Sequence, residues 1–186
     1  SNFYDKLGME NLSFLPKNHL ALERIVPTEN DYEFRSQLLK GDVHDMGAAM
    51  FGGIGGHAGL FSNANDLAKI MQLFLNNGSY GGEYYFSEKI VKEFTKCQFC
   101  EDENRRGLGF DKPVLENQEG GPTCKCVSHL SFGHSGFTGT LAWADPETQI
   151  IYIFLSNRIH PNSDNKKLLD LNVRTNIMEQ IFKYNE

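Results

Sequence analysis

The residues best suited to chemistry lie in a few short stretches. "SFGHSGFTGT" (131–140) sets Ser135 beside His134 between glycines, directly ahead of an apolar run. A nucleophile elbow needs Gly-x-Ser-x-Gly on a strand-to-helix turn. The run Gly133-His134-Ser135-Gly136-Phe137 lacks the last glycine, and a strand pattern follows it. An adjacent histidine is also a poor base for Ser135, because neighbours on a strand point to opposite faces. Ser135 is therefore read as something other than the attacking group. The strand itself is the candidate. Gly136 removes a Cβ where a substrate would lie flat, and the Phe137 N–H is free to face a developing oxyanion. His134, partly charged near neutral pH, would steer charge. Ser135 would hydrogen-bond a substrate carboxylate.

The four cysteines cluster as Cys97-x-x-Cys100 and Cys124-x-Cys126. Two such knuckles can place four thiolates around a structural zinc ion, with no open position for catalysis. Two disulfides linking one pair to the other are the rival, and reduced core cysteines are the third option. Zinc or cross-links would tie the segment after the second helix to the strand leading into His134. No cofactor is expected for catalysis. The run Gly52–Gly59 lacks the spacing and the Lys-Ser/Thr of a phosphate loop and reads as a tight turn. His44-Asp45 with His57 is either an acid–base pair or, as is commoner, a set that satisfies loop backbone. Ser163-Asp164-Asn165-Lys166 spells Ser-x-x-Lys in a polar turn and reads as a helix cap.

Positioning these groups falls to a modest set of elements. The stretch 62–78 is the clearest helix, with Ser62 or Asn63 as cap, Asp66 in the first turn and Gly78 as terminator. Leu67, Ile70, Met71, Phe74 and Leu75 form its expected buried face. Ser87 caps a second helix with Ile90, Val91 and Phe94 inward. "RRGLGFDKP" reads as a short strand. Residues 127–144 give one or two strands, then the turn Asp145–Thr148, then the apolar strand Ile150–Leu155, expected to be central and covered on both faces. A last helix over 165–184 carries Leu169, Val173, Ile177 and Ile181 on one face. The first third reads as long ordered loops with one short helix. This order is α+β, an antiparallel sheet with flanking helices.

Composition narrows the function. The chain has 186 residues, 40% hydrophobic and 12% aromatic, with net charge −6. Scattered Lys and Arg in an acidic chain argue against a nucleic-acid partner. The apolar runs are too short to span a bilayer.

The stretch "FGHSGFTGTLAWADPETQIIYIFLSNR" resembles the third active-site motif of the serine β-lactamase and penicillin-binding protein superfamily. There a Lys-Thr-Gly or His-Thr-Gly triplet opens an edge strand, and His134-Ser135-Gly136 fills those places. "FYDKLGMENLSFLP", "GHAGLFSNANDLAKIMQLFLNNG" and "RRGLGFD" are similar, in order, to further segments of class C-like members, particularly the domains attached to family 3 glycoside hydrolases in some bacterial proteins. The resemblance implies the C-terminal portion of the β-lactamase/transpeptidase-like fold, with residues 1–186 as a single partial domain. It implies roles for His134, Ser135, Gly136 and the Phe137 amide, and a substrate contact for Asn162. It also implies a periplasmic or extracellular setting, which favours disulfides over zinc. The family's Ser-x-x-Lys and Tyr-x-Asn, which precede the third motif, are not in this sequence. The expectation is a serine-hydrolase fragment acting with its missing N-terminal half on a β-lactam, a D-amino-acid peptide or an ester, and inactive alone. Either that half or a second copy would cover the exposed core. The alternative is a non-catalytic binding or structural module built around a zinc or disulfide knuckle.

Overall fold

Trp143, the single tryptophan, is fully buried and marks the centre of the fold. A computed structural model describes residues 3–115 and 120–184. Its strands are Ser13–Phe14 (β1), Pro27–Asp31 (β2), Gln37–Lys40 (β3), Leu60–Phe61 (β4), Ser79–Tyr80 (β5), Glu83–Tyr84 (β6), Phe132–Ser135 (β7), Leu141–Asp145 (β8) and Ile150–Phe154 (β9). Its helices are Met46–Met50 (α1), Ala64–Leu75 (α2), Glu88–Thr95 (α3), Lys167–Asp170 (α4) and Val173–Tyr184 (α5). The mixed α+β class follows directly.

The main sheet is antiparallel in the order β7-β8-β9. Strand alternation divides its residues between two layers. Leu141, Trp143 and Tyr152 face Met178 and Phe182 of α5, with Val127 closing the cluster. Ala144 and Phe132 face Met71 and Leu75 of α2, with Ala142, Ile151 and Ile153 beside them. The strand "IIYIF" is thus apolar throughout because both of its faces are covered. It is nevertheless an edge, not the central strand expected: among the described residues β9 pairs only with β8.

Helix α2 is buried on two sides, which a single stripe does not convey. Met71 and Leu75 meet the sheet, while the fully buried Leu73 meets Leu7, Met9 and Leu12 of the N-terminal segment. Asn63 is its cap, its Oδ1 accepting from the Asp66 N–H at 2.8 Å. Gly78 ends it with φ +95°, its N–H donating to Leu73 O at 2.8 Å. Asp66 turns back to accept from the Asn11 N–H at 2.8 Å, fastening the outer layer.

Other expectations need correction. Helix α3 is capped by Ser87 and buries Val91, but Ile90 and Phe94 stay about half exposed at 50% and 46%. The last helix is broken at Asn172, which adopts φ +49°. Its buried residues are Met178 and Phe182, one position on from the expected stripe. "RRGLGFDKP" forms only isolated bridges, Arg106 with Asp111 and Asp111 with Gly133, because a tight turn at 107–109 leaves too few residues for a ladder. Residues 27–40 form the hairpin β2–β3 in place of the loop expected there.

Two buried polar side chains fasten the loops around the sheet. Asp145, fully buried, accepts from Ser128 N–H (2.7 Å), Ser128 Oγ (2.6 Å) and Glu147 N–H (3.0 Å). Such charge-assisted bonds are the stronger kind. Lys112 donates to Leu130 O at 3.0 Å from a buried position. Desolvation pushes its ammonium down to about 8, with the Asp145 charge acting in the opposite sense. A lysine depressed on folding binds fewer protons in the native state, so native stability rises with pH between about 8 and the ordinary 10.5. Relative to Lys112→Met, the wild type should gain at most about 3 kcal/mol across that window. Urea unfolding of both proteins from pH 7 to pH 11 reads the difference; a constant gap rejects this account of Lys112.

Candidate active site

The sequence places a candidate substrate wall at the end of β7, and the tertiary structure shows how it is aimed. β7 pairs with β8 in the register Gly133↔Trp143, His134↔Ala142 and Ser135↔Leu141. On its other side Gly133 exchanges hydrogen bonds with Asp111, Asp111 N–H to Gly133 O at 2.7 Å and Gly133 N–H to Asp111 O at 3.1 Å. Backbone groups alternate along a strand, so the Ser135 groups also face away from β8. The Gly136 N–H turns back into the hairpin and donates to Thr140 O at 2.8 Å. Phe137 begins the turn that follows β7.

The two glycines serve the protein's own packing. A Cβ on Gly133 would lie 2.2 Å from Ala142 O and 2.4 Å from Trp143 Cε3. One on Gly136 would lie 2.4 Å from Thr140 Oγ1. The close approach at Gly136 is therefore to the hairpin, whatever else lies beyond it.

Phe137 is exposed at 59% yet tightly framed. Its ring stacks on His44 with centroids 4.9 Å apart, and the Arg158 guanidinium lies 4.4 Å over its centroid. Arg158 also donates from Nε to Phe137 O at 2.8 Å and from its backbone to Thr138 O at 2.9 Å. His44 is held in turn by Glu29, 3.3 Å from its Nε2, and by Arg35, which donates from Nη2 to His44 O at 2.9 Å. Asp31 clamps Arg35 through Nε at 2.6 Å. Its carboxyl is held below the ordinary range chiefly by that guanidinium, with the Phe34 N–H next. The β2–β3 hairpin thereby braces Phe137 from one side and the segment after β9 braces it from the other. A cation close to an aromatic face is attracted by the ring quadrupole.

His134 is exposed, with Nδ1 2.7 Å from Ser135 O and Nε2 3.4 Å from Arg106 Nη1. Arg106 and Arg158 were not singled out from the sequence. The signal available was the pair Arg105-Arg106 a few residues ahead of Asp111 and an arginine just past the strand. Asn162 accepts from the Asp164 N–H at 3.1 Å within its own turn; Ser156, whose Oγ donates to Gly139 O at 2.9 Å, and Arg158 reach the loop after β7. Ser163-x-x-Lys166 leads into α4, where the side chain accepting from Lys167 N–H is Asn165, at 3.1 Å.

Asp45 and His57 do come together, with Oδ1 2.9 Å from Nε2. Asp45 also caps α1 through Ala48 N–H at 2.7 Å. That bond first, and His57 second, hold its carboxyl below the usual range. The glycine run is the tight turn expected: Gly55 N–H donates to Ala58 O at 3.0 Å, and a Cβ on Gly59 would lie 2.3 Å from Gly53 O.

The cysteines require a correction. They form the local disulfides Cys97–Cys100 and Cys124–Cys126, with sequence separations of 3 and 2. Neither bond joins one pair to the other. A sulfur in a disulfide has no thiolate to offer, so this pairing does not gather the four around a metal ion. Closing such short loops removes little chain entropy, and each bond stiffens only its own turn.

Comparison with known proteins agrees with the family likeness. A family model described as Beta-lactamase matches residues 2–176. Proteins of Salmonella paratyphi B and Salmonella newport, each described as "Putative D-alanyl-D-alanine carboxypeptidase", are 39% identical over 136 residues. The match takes in 72% of this chain and 31% of theirs, so the chain spans about a third of the length of these relatives. Among solved structures, a beta-lactamase from Mycobacterium bovis aligns with a TM-score of 0.53 at 20% identity, covering 69% of this chain and 46% of that one. A penicillin-binding protein homolog from Caulobacter crescentus gives 0.51 at 18% identity, covering 84% and 45%. These structural likenesses speak to the fold.

The two glycines of the strand make a graded prediction. Gly133→Ala presses on a backbone carbonyl and on Trp143, and should cost about 1–3 kcal/mol of stability. Gly136→Ala presses on a hydroxyl that can rotate away and should cost less. Thermal unfolding of both variants gives the order, and a reversed order contradicts the packing argument.

Proposed function

Because the chain belongs to the beta-lactamase family, we propose that it is the third-motif part of a serine acyl-hydrolase whose nucleophile lies in sequence outside these 186 residues. D-amino-acid peptides are the favoured substrate class, given the description carried by the Salmonella relatives; β-lactams and esters share the same carbonyl chemistry. The observation that carries the reading is the free side of β7 beyond Asp111, where the Ser135 backbone groups face away from β8, with Arg106 beside His134 and Arg158 beside Phe137.

In this mechanism the oxygen of an upstream serine attacks the substrate carbonyl carbon, and the developing oxyanion is met by the Phe137 N–H. The C–N bond breaks, and the leaving amine departs with a proton. Water then attacks the acyl-enzyme ester, releasing the acid and restoring the serine. Ser135 and the nearby guanidinium groups contribute binding of an anionic substrate group. An envelope location fits this chemistry and the two disulfides.

The open side of β9 and the half-exposed Ile177 and Leu155 are the surfaces the rest of the parent protein would cover. Alone, the chain should self-associate through them; a monomer in light scattering at high concentration overturns this part. A fluorescent penicillin should label a parent protein that carries Ser-x-x-Lys upstream and leave this chain unlabelled. Covalent labelling of the chain itself would falsify the assignment of the nucleophile to another segment. Absence of label on both would favour the non-catalytic module.

A further inference from the structure

His134 has two polar neighbours, and together they decide its chemical state. Nδ1 lies 2.7 Å from Ser135 O, and a carbonyl oxygen only accepts, so Nδ1 carries the proton. Nε2 lies 3.4 Å from Arg106 Nη1, and a guanidinium only donates, so Nε2 offers a lone pair. The two contacts are satisfied together by one species, the neutral imidazole with its proton on Nδ1. An imidazolium would turn an N–H toward the guanidinium and lose that bond.

Arg106 is itself held. Its Nη1 is 3.8 Å from Asp111 Oδ2, and the same carboxylate faces Arg105 Nε at 3.4 Å. Asp111 is buried and exchanges backbone hydrogen bonds with Gly133, the residue before His134. The donor and the histidine it meets are thus fixed to one piece of backbone. The Arg106 side chain remains 46% exposed.

We propose that Arg106 is a positioning residue for His134, holding it as the neutral Nδ1–H tautomer, so that the permanent positive charge beside the strand is the guanidinium's. The functional consequence rests on the reading of β7 as a substrate wall. A guanidinium is always charged in proteins. An anionic group of the substrate then meets a constant field, and His134 acts as a hydrogen-bonded brace between the Ser135 carbonyl and Arg106.

The test is the two-bond proton–nitrogen correlation spectrum of the ¹⁵N-labelled chain at neutral pH, with His134 assigned by its disappearance in His134→Gln. Protonated and lone-pair ring nitrogens have well-separated shifts. The wild type should show the proton on Nδ1 and the lone pair on Nε2. In Arg106→Ala the Nε2 shift should move, because its lone pair loses the guanidinium hydrogen bond while Ser135 O keeps the proton on Nδ1. The backbone signals of Asp111 and Gly133 report whether the strand is intact in the variant. A proton on Nε2 in the wild type overturns the proposal by itself, whether or not the variant folds. An unchanged His134 spectrum in a folded Arg106→Ala also overturns it. Neither result bears on whether the parent protein is a hydrolase, which acyl labelling decides separately.

Discussion

β8 carries Leu141 and Trp143 on one face and the small Ala142 and Ala144 on the other, and both faces are covered. The whole arrangement depends on that asymmetry. The large side chains hold α5 on one side, and the alanines let α2 approach closely on the other. Trp143 also sets the neighbouring strand, because its ring and backbone leave no room for a side chain at Gly133. β7 is therefore fitted to the core by sterics one residue ahead of His134. Close packing of this kind transmits the position of a core residue to the edge of a site with little slack.

Polar braces complete what packing begins. Asp145 gathers the 128 loop and the β8–β9 turn around one carboxylate, and Asp31 fixes Arg35, which reaches over to the carbonyls of Val43 and His44. Asp111 joins the turn at 107–109 to β7 while facing two arginines. In each case a carboxylate accepts from a side chain or backbone N–H far enough along the chain to pin a loop. The site is thus walled by segments that are distant in sequence: His44, Arg106, Phe137 and Arg158.

Much of this was legible before any coordinates. Helix α2, its Asn63 cap and its Gly78 stop are local chemistry, and local chemistry is written in consecutive residues. The hairpin β8–β9 and the two-sided burial of β9 follow from an uninterrupted apolar run. The misreadings share a cause, which is tertiary context. Nothing within "SEKIVKEFT" says that Ile90 and Phe94 remain half exposed. Nothing within the last helix says that Met178 and Phe182 meet Trp143 in place of Ile177 and Ile181. The cysteine spacing was compatible with four thiolates around zinc, cross-links or reduced core cysteines, and the local bonds follow instead from the paths of the two loops.

The sequence alone determined the α+β class and the run His134-Ser135-Gly136 ahead of an apolar hairpin, since these depend on short-range pattern and on residue order. The tertiary structure decided what stands around that triplet. Arg106 meets His134 from 28 positions away, and Phe137 lies between His44 and Arg158, which are drawn from opposite ends of the chain. Periodicity cannot report such meetings, because a hydrogen bond or a ring stack depends on distances in space that only the closing of the sheet against α2 and α5 brings about.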